Sequence, residues 1–174
     1  MLTMGFQQLL ERISNSQAFK DFKEEHPSAT LCAGFFVIDF MGNDNKQTLD
    51  YRIANKVFTF SLNDKEQIRV EQDKLMELPN TPQLTTLENP GEVVSDIEDL
   101  KGIVGMASLE QGIHNKIHKI IAVLQNDPQN QEKKIWNLTC MLESLIILHI
   151  IVNPLNGEII KFEKKSMMDL IKKK

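Results

Sequence analysis

The sequence has little of what would tie it to an oxidising compartment, a bilayer or a nucleic acid. Its two cysteines, Cys32 and Cys140, both lie in apolar stretches and are too few for a disulfide scaffold. No apolar run reaches the ~18 residues of a membrane span. Residues 1–12 carry an acid and a base where an export signal needs an apolar segment. The formal net charge is −4, and the basic residues are scattered. We therefore expect a soluble, cytoplasmic protein that binds neither nucleic acid nor membrane.

Motifs for catalysis or cofactor binding are also absent from the sequence. It contains no Gly-x-Ser-x-Gly, phosphate loop, dinucleotide fingerprint or Cys-x-x-Cys. His114 and His118 are spaced i, i+4, so both could reach one metal ion from a single helix face. A zinc site needs at least three protein ligands and no further ligand is close, so a boundary role on the helix is favoured. We expect no catalytic residue, no metal and no cofactor.

Two long apolar runs, 135–142 and 145–152, dominate the chain and predict its core. They are rich in β-branched residues and lead into a turn at 153–157 and an outgoing strand at 158–163. Asn156-Gly157 can take the positive φ values of a tight turn. These segments predict a three-strand antiparallel meander with Trp136 as a core anchor.

The N-terminal part predicts helices followed by four strands. Phe6, Leu9 and Ile13 recur at helical spacing, and Ser16 is placed to cap a short second helix that ends near Glu25. From residue 29 the apolar period changes from 3.6 to 2. Four strands are expected, at 29–40, 48–54, 57–62 and 67–71.

A proline-containing segment, 74–94, is predicted to link this part (1–73) to the rest (95–174). Ser95 with Glu98 and Ser108 with Gln111 have the spacing of capping boxes. They predict a short helix stopped at Gly105 and a longer one that runs to about Leu124. A short C-terminal helix is expected from Ser166 onward. The predicted fold class is α+β, with two helix-plus-antiparallel-meander halves.

Residues 108–163 resemble the PepSY-type module. The matching features are a capped helix at Ser108-Leu-Glu-Gln111, a tryptophan strand at Lys134-Ile-Trp-Asn-Leu138, an apolar strand at His149-Ile-Ile-Val-Asn153 and a Gly-Glu turn at Asn156-Gly-Glu-Ile-Ile160. The resemblance implies cystatin- or PepSY-like layers. It also implies a non-catalytic module that binds or regulates another protein.

Two functions are consistent with these features. The first is a non-enzymatic protein-interaction, regulatory or scaffold module. The second is a small-molecule-binding protein or enzyme with a pocket between a curved sheet and a helix, where His149, Asp39 and Tyr51 would be the polar groups. His149 could instead be a core histidine bonded to a neighbour.

A homodimer is also expected. The run 145–152 is apolar at every position but His149, so both faces of this strand require cover. One face can meet the helices. The other must meet the N-terminal half or a second copy of the chain.

Overall fold

The computed structural model describes residues 4–63, 65–74 and 85–167, and these residues form three α-helices and eight β-strands. The α+β fold class is thereby confirmed. In chain order the elements are α1 (Phe6–Ser14), α2 (Gln17–Glu25), β1 (Thr30–Asp39), β2 (Lys46–Ile53), β3 (Lys56–Leu62), β4 (Ile68–Lys74), α3 (Ile97–Glu110), β5 (Ile117–Asp127), β6 (Asn130–Leu142), β7 (Ile146–Val152) and β8 (Ile159–Ser166).

All eight strands form one antiparallel sheet in the order β4-β3-β2-β1-β5-β6-β7-β8. The first four strands meet the last four where β1 pairs with β5, from Gly34 opposite Leu124 to Asp39 opposite Lys119. The inner face of the sheet packs against the helices and contains the core. No helix among the described residues packs on the outer face.

The two N-terminal helices are separated at Asn15 and Ser16, where the sequence predicts a break, and α2 ends at Glu25 as predicted. Phe6, Leu9 and Ile13 of α1 are fully buried in the core. The Ser16 hydroxyl oxygen accepts a hydrogen bond from the backbone N–H of Phe19 at 3.1 Å and so caps α2. Gly34 of β1 lies beneath α1, because a Cβ atom there would be 3.4 Å from the Phe6 ring.

The second half differs from its prediction. The expected helix 108–124 is wrong, because α3 continues through Gly105 to Glu110 and residues 117–127 form β5. Ser108 lies in the last turn of α3, where its hydroxyl donates to the Val104 carbonyl at 2.8 Å. Gly112, with φ +73°, follows the helix end.

The apolar spacing in 117–127 fits a strand better than a helix. Ile120, Ala122 and Leu124 are fully buried at period 2. The half therefore has one long helix and four strands in place of a helix pair and three strands. The C-terminal helix expected from Ser166 lies outside the described residues, apart from Ser166, the last residue of β8, and Met167.

The N-cap of α3 is Asp96, one residue after the predicted cap at Ser95. The Asp96 carboxylate accepts from the backbone N–H of Ile97 at 2.7 Å, and Asp99 completes the capping box. The same carboxylate accepts from the N–H groups of Phe6 at 2.7 Å and Gln7 at 3.2 Å. One side chain therefore caps the N-termini of two helices.

Trp136 is fully buried, as predicted for a core anchor. Its indole Nε1–H donates to the Ser95 carbonyl at 2.8 Å, and its ring meets Phe36 edge-on with centroids 5.8 Å apart. The turn after β7 docks beside it, where the Pro154 carbonyl accepts from the N–H of Ser95 at 3.0 Å. Gly157 has φ +76°, and a Cβ atom there would lie 2.9 Å from Ser95 Oγ.

Replacing Trp136 with alanine should lower the free energy of unfolding by roughly 3–5 kcal/mol, because it leaves a large cavity and an unpaired carbonyl. Chemical denaturation measures the change. A loss below about 1 kcal/mol would contradict the buried position of the indole.

Asp96→Ala should lower the free energy of unfolding by roughly 2–3 kcal/mol, about twice the value of one cap, because it uncaps both α1 and α3. Asp99→Ala is the matched control, since it removes only the reciprocal bond of the capping box. Equal losses in the two variants would show that the bonds to α1 add no stability.

Candidate functional site

The three residues predicted to line a pocket lie in three separate environments. Tyr51 is in the core on β2, where its ring centroid is 5.0 Å from that of Phe19 and 5.4 Å from that of Phe60. Burial raises the pKa of Tyr51 to about 12.

Asp39 ends β1, and its carboxylate accepts from the N–H groups of Met41 at 3.0 Å and Asp44 at 3.1 Å. These bonds hold the pKa of Asp39 below its ordinary value. Both residues therefore have structural partners.

His149 is not in the core, but it is hydrogen-bonded to a neighbour. It lies on the outer face of the sheet, where the imidazole is 32% exposed. Its Nε2 is 2.7 Å from Asn137 Oδ1, and its Nδ1 is 3.9 Å from Glu163 Oε2. The register explains the position, because its neighbours Leu148 and Ile150 take the inner face.

His114 and His118 do not share a helix face. His114 lies in the loop after α3 and His118 lies in β5, so the geometry considered for a shared metal ion is wrong. In residues 4–63, 65–74 and 85–167, no group of three or more His, Cys, Asp or Glu side chains is arranged to hold a metal ion. Within the same ranges no helix is long and apolar enough to cross a membrane.

The two thiols are buried structural groups. Cys32 is 1% exposed and Cys140 is fully buried, and both are free. Burial raises the pKa of each thiol to about 12. A thiol with so high a pKa is a poor nucleophile near neutral pH.

The most unusual surface lies at one end of the sheet, where three connections meet. Phe40 follows β1, and its N–H donates to the His118 carbonyl at the start of β5 at 2.9 Å. The turn between β6 and β7 lies beside the same region, because the N–H of Glu143 donates to the Lys116 carbonyl at 2.9 Å. Four large apolar side chains at this end are 45–61% exposed, and we call them the loop-end surface: Phe40, Met41, Leu109 and Leu145.

An open cleft of about 540 Å³ lies within this end, between α3 and the start of β5. Its apolar lining comes from Phe40, Leu109, Ile113 and Ile117. Helix α3 provides one wall and the loop 111–116 provides another. The cleft is therefore a pocket between helix and sheet, as the second function requires, but the predicted polar residues are not in it.

Leu145 is held in a backbone conformation that leucine rarely adopts. Ser144 has φ +64° and Leu145 has φ +58°, and the Leu145 side chain is 54% exposed. A left-handed conformation costs a non-glycine residue roughly 1–2 kcal/mol, and no burial of this side chain offsets that energy. Strain of this kind in a turn is characteristic of functional sites.

The exposed side of α3 carries Glu98, Asp99 and Glu110 at its ends, with a strip of apolar residues between them. Gly102, Gly105, Met106 and Leu109 are spaced i, i+3, i+4 and i+7, so they lie on one face. Met106 is 66% exposed, and no atom lies within 4 Å of where a Cβ would sit at either glycine. Glycine inside a helix is destabilising by roughly 0.5–1 kcal/mol relative to alanine, and packing within the described chain does not require it here.

Sequence reasoning missed these residues, although two signals were present. Gly102 and Gly105 interrupt an otherwise helical pattern, and Glu143-Ser144 separates the two apolar runs. The sequence pattern predicts a helix end at Gly105 and a strand residue at Leu145. The exposure of these residues depends on how distant elements pack together, and the local sequence pattern does not predict that packing.

The comparisons with known proteins give no family for this chain. No family model matches it, and no curated protein matches it. The PepSY resemblance therefore stays a prediction, and of its four features the helix at Ser108 is only the end of α3. Among solved structures, the chain is similar to a protein from Clostridium difficile 630 that is provisionally described as a lipoprotein, with 14% identity, a TM-score of 0.49 and coverage of 85% of this chain and 90% of that chain.

Replacing Ser144 and Leu145 with Asn-Gly should raise the free energy of unfolding by roughly 1 kcal/mol, because these residues tolerate positive φ. Leu145→Ala trims the same side chain but keeps the backbone constraint, so it should give no such gain. Denaturant titration of the two variants distinguishes strain from side-chain loss. A less stable Asn-Gly variant would contradict the inferred strain.

Proposed function

We propose that this protein is a non-enzymatic interaction module and that it binds a partner protein through the loop-end surface. The observation that carries the proposal is Leu145, a large apolar side chain that is exposed in a strained turn. A contact with a partner would bury it and offset the strain. Phe40 and Leu109 extend the same apolar area around the cleft.

The chemistry of the surface supports this proposal. Aromatic residues and methionine are enriched at protein interfaces, and Phe40, Met41 and Met106 are all exposed here. Methionine side chains adapt to irregular partner surfaces because they are flexible and polarisable. The connections at this end are carried by a rigid sheet, which is the usual arrangement of binding loops.

A small-molecule-binding protein is the second candidate. The cleft volume of about 540 Å³ favours it, because ligand pockets usually span roughly 300–1,000 Å³. The cleft is open, however, and much of the exposed apolar surface lies outside it. A protein partner would cover both areas at once.

Two further proposals concern the location of the protein and the relation between its two halves. We propose a cytoplasmic location, supported by the free and buried thiols of Cys32 and Cys140. We also propose that residues 1–73 and 95–174 are two related halves. The support is that two helices in the first half and one in the second are each followed by four consecutive antiparallel strands in the described residues.

The partner proposal predicts a capture result with a defined pattern. Immobilised wild-type protein should retain a host protein that the Asn-Gly variant at 144–145 and a Phe40→Ser, Leu109→Ser variant both lose, since each removes exposed apolar contacts. Quantitative mass spectrometry of eluted proteins measures the loss. Val94→Ser is the matched control, because Val94 is 70% exposed but lies before α3, outside the loop-end surface.

Equal retention of every captured protein by wild type and by the loop-end variants would contradict the proposal. A small molecule that protects the protein thermally, and loses its effect in the Leu109 variant, would support the second candidate instead.

We further propose a homodimer formed through the outer face of the sheet. The expectation that the N-terminal half could cover β7 does not apply, because both halves lie in the same sheet. On the outer face, Phe35, Val123 and Ile151 lie in one cross-strand row and are half-buried, with Asn137 between Val123 and Ile151. A second copy would cover this row.

Light scattering after size exclusion should then give about 40 kDa, twice the chain mass of 19.9 kDa. Ile151→Lys should return the mass to that of one chain because it places a charge in the apolar row. Lys133→Glu, at an exposed position near the start of β6, should leave the mass unchanged. A single-chain mass for the wild type at micromolar concentration would overturn the dimer.

A further inference from the structure

We infer that the partner contributes an acidic amphipathic helix, which lies along α3 and inserts its apolar residues into the cleft. This inference rests on the proposed function, since it names the class of partner that the loop-end surface takes. Its evidence is separate and consists of the charge of the cleft and the bare backbone of α3.

The charge around the cleft is opposite to that of the chain. The chain has a formal net charge of −4. Within the described residues, Lys101, His114 and Lys116 contribute to the cleft lining and no carboxylate does. Lys101 already pairs with Glu98, with Nζ and Oε1 2.7 Å apart. His114 and Lys116 are exposed and make no ion pair within the described ranges.

Acidic residues lie close to the cleft lining along the chain, but none of those described lines the cleft. Glu98 pairs with Lys101, and Asp39 and Asp99 accept backbone N–H bonds, so the ammonium of Lys116 is left without an ion pair within the described ranges. A partner with carboxylates beside its apolar residues would therefore find Lys116 available for an ion pair. Such complementarity selects the partner and increases its association rate.

The shape of α3 favours a helical partner. Gly102 and Gly105 leave the backbone of α3 open, with no atom within 4 Å of either Cβ position. The distance between packed helices depends on the side chains at the contact, and glycines permit the shortest approach. Met106 and Leu109 follow on the same face and would flank the partner helix.

A helix also fits the apolar part of the cleft better than an extended strand. The sheet edges that could accept a strand are β4 and β8, which are rich in charged residues, and neither lines the cleft. Helical partners present apolar anchors at i, i+3, i+4 and i+7 to a groove. The apolar lining of the cleft offers the matching surface.

The test uses the whole protein and two synthetic helical peptides of about 18 residues, with identical leucine and methionine positions and either glutamate or lysine elsewhere. Fluorescence anisotropy should show micromolar binding of the glutamate peptide and at least about tenfold weaker binding of the lysine peptide. Raising the salt concentration from about 0.15 M to about 0.5 M should lower the affinity for the glutamate peptide several-fold, because salt screens the charges.

Two variants connect this binding to the cleft. Lys116→Glu should lower the affinity for the glutamate peptide by about tenfold and raise the affinity for the lysine peptide. Lys133→Glu should change neither affinity. Gly105→Leu should abolish binding, because the leucine side chain occupies the space that the partner helix needs beside α3. It should not lower Tm, because leucine is a better helix former than glycine. Gly91→Leu is its control, since that position is equally open but lies outside α3.

Equal affinities for the two peptides, or no binding of either, would overturn the inference. So would a glutamate peptide that binds Gly105→Leu as well as wild type. A host protein that the loop-end variants lose, but that the glutamate peptide does not displace, would refute the acidic helix and leave the interaction module standing.

Discussion

The carboxylate of Asp96 is the contact on which the helix layer depends. It accepts hydrogen bonds from the first N–H groups of α1 and α3, at the end of each helix where the dipole is positive. The residues beside it extend the junction, because Val93 accepts from the Gln7 side chain and Ser95 accepts from Trp136. Helices from distant parts of the chain therefore share one origin above the inner face of the sheet. Gly5 leaves room for this carboxylate, since a Cβ atom there would lie only 3.0 Å from it.

Sequence reasoning predicted the elements whose signals are local. The cap at Ser16 and the alternation in β2 and β3 were read correctly, because one hydroxyl or one period-2 pattern determines each. The capping pattern failed at two other places. Ser95 with Glu98 and Asp96 with Asp99 both have its spacing, and tertiary bonds favour Asp96, because its carboxylate also accepts from α1 while the Ser95 backbone bonds to Trp136 and Pro154. Ser108 with Gln111 also satisfies it inside the end of a helix, where the isoleucines that follow fit β5 through the pairing with β1.

The residues of the candidate site could not be predicted from the sequence for a different physical reason. Apolar residues such as Phe40, Leu109 and Leu145 are indistinguishable from core residues until the fold leaves them uncovered. Register also separates the polar residues considered for a pocket, because it places His149 on the outer face of the sheet and Tyr51 on the inner face. The glycines of α3 were the available sequence signal, because they oppose helix formation without a turn to justify them. Local sequence patterns thus predict the helices and strands, whereas the tertiary arrangement determines which apolar side chains stay exposed.

The pairing of β1 with β5 also sets the order in which the chain can fold. Gly34 and Leu124 are paired although 90 residues separate them (124 − 34). During synthesis, β1 to β4 leave the ribosome well before β5, so one long edge of β1 stays unpaired in the meantime. Non-local pairings of this kind slow folding, and unpaired strand edges promote aggregation. Domain swapping through β5 would satisfy the same edge, so folding yield in the cell should depend on how quickly translation delivers residues 117–127.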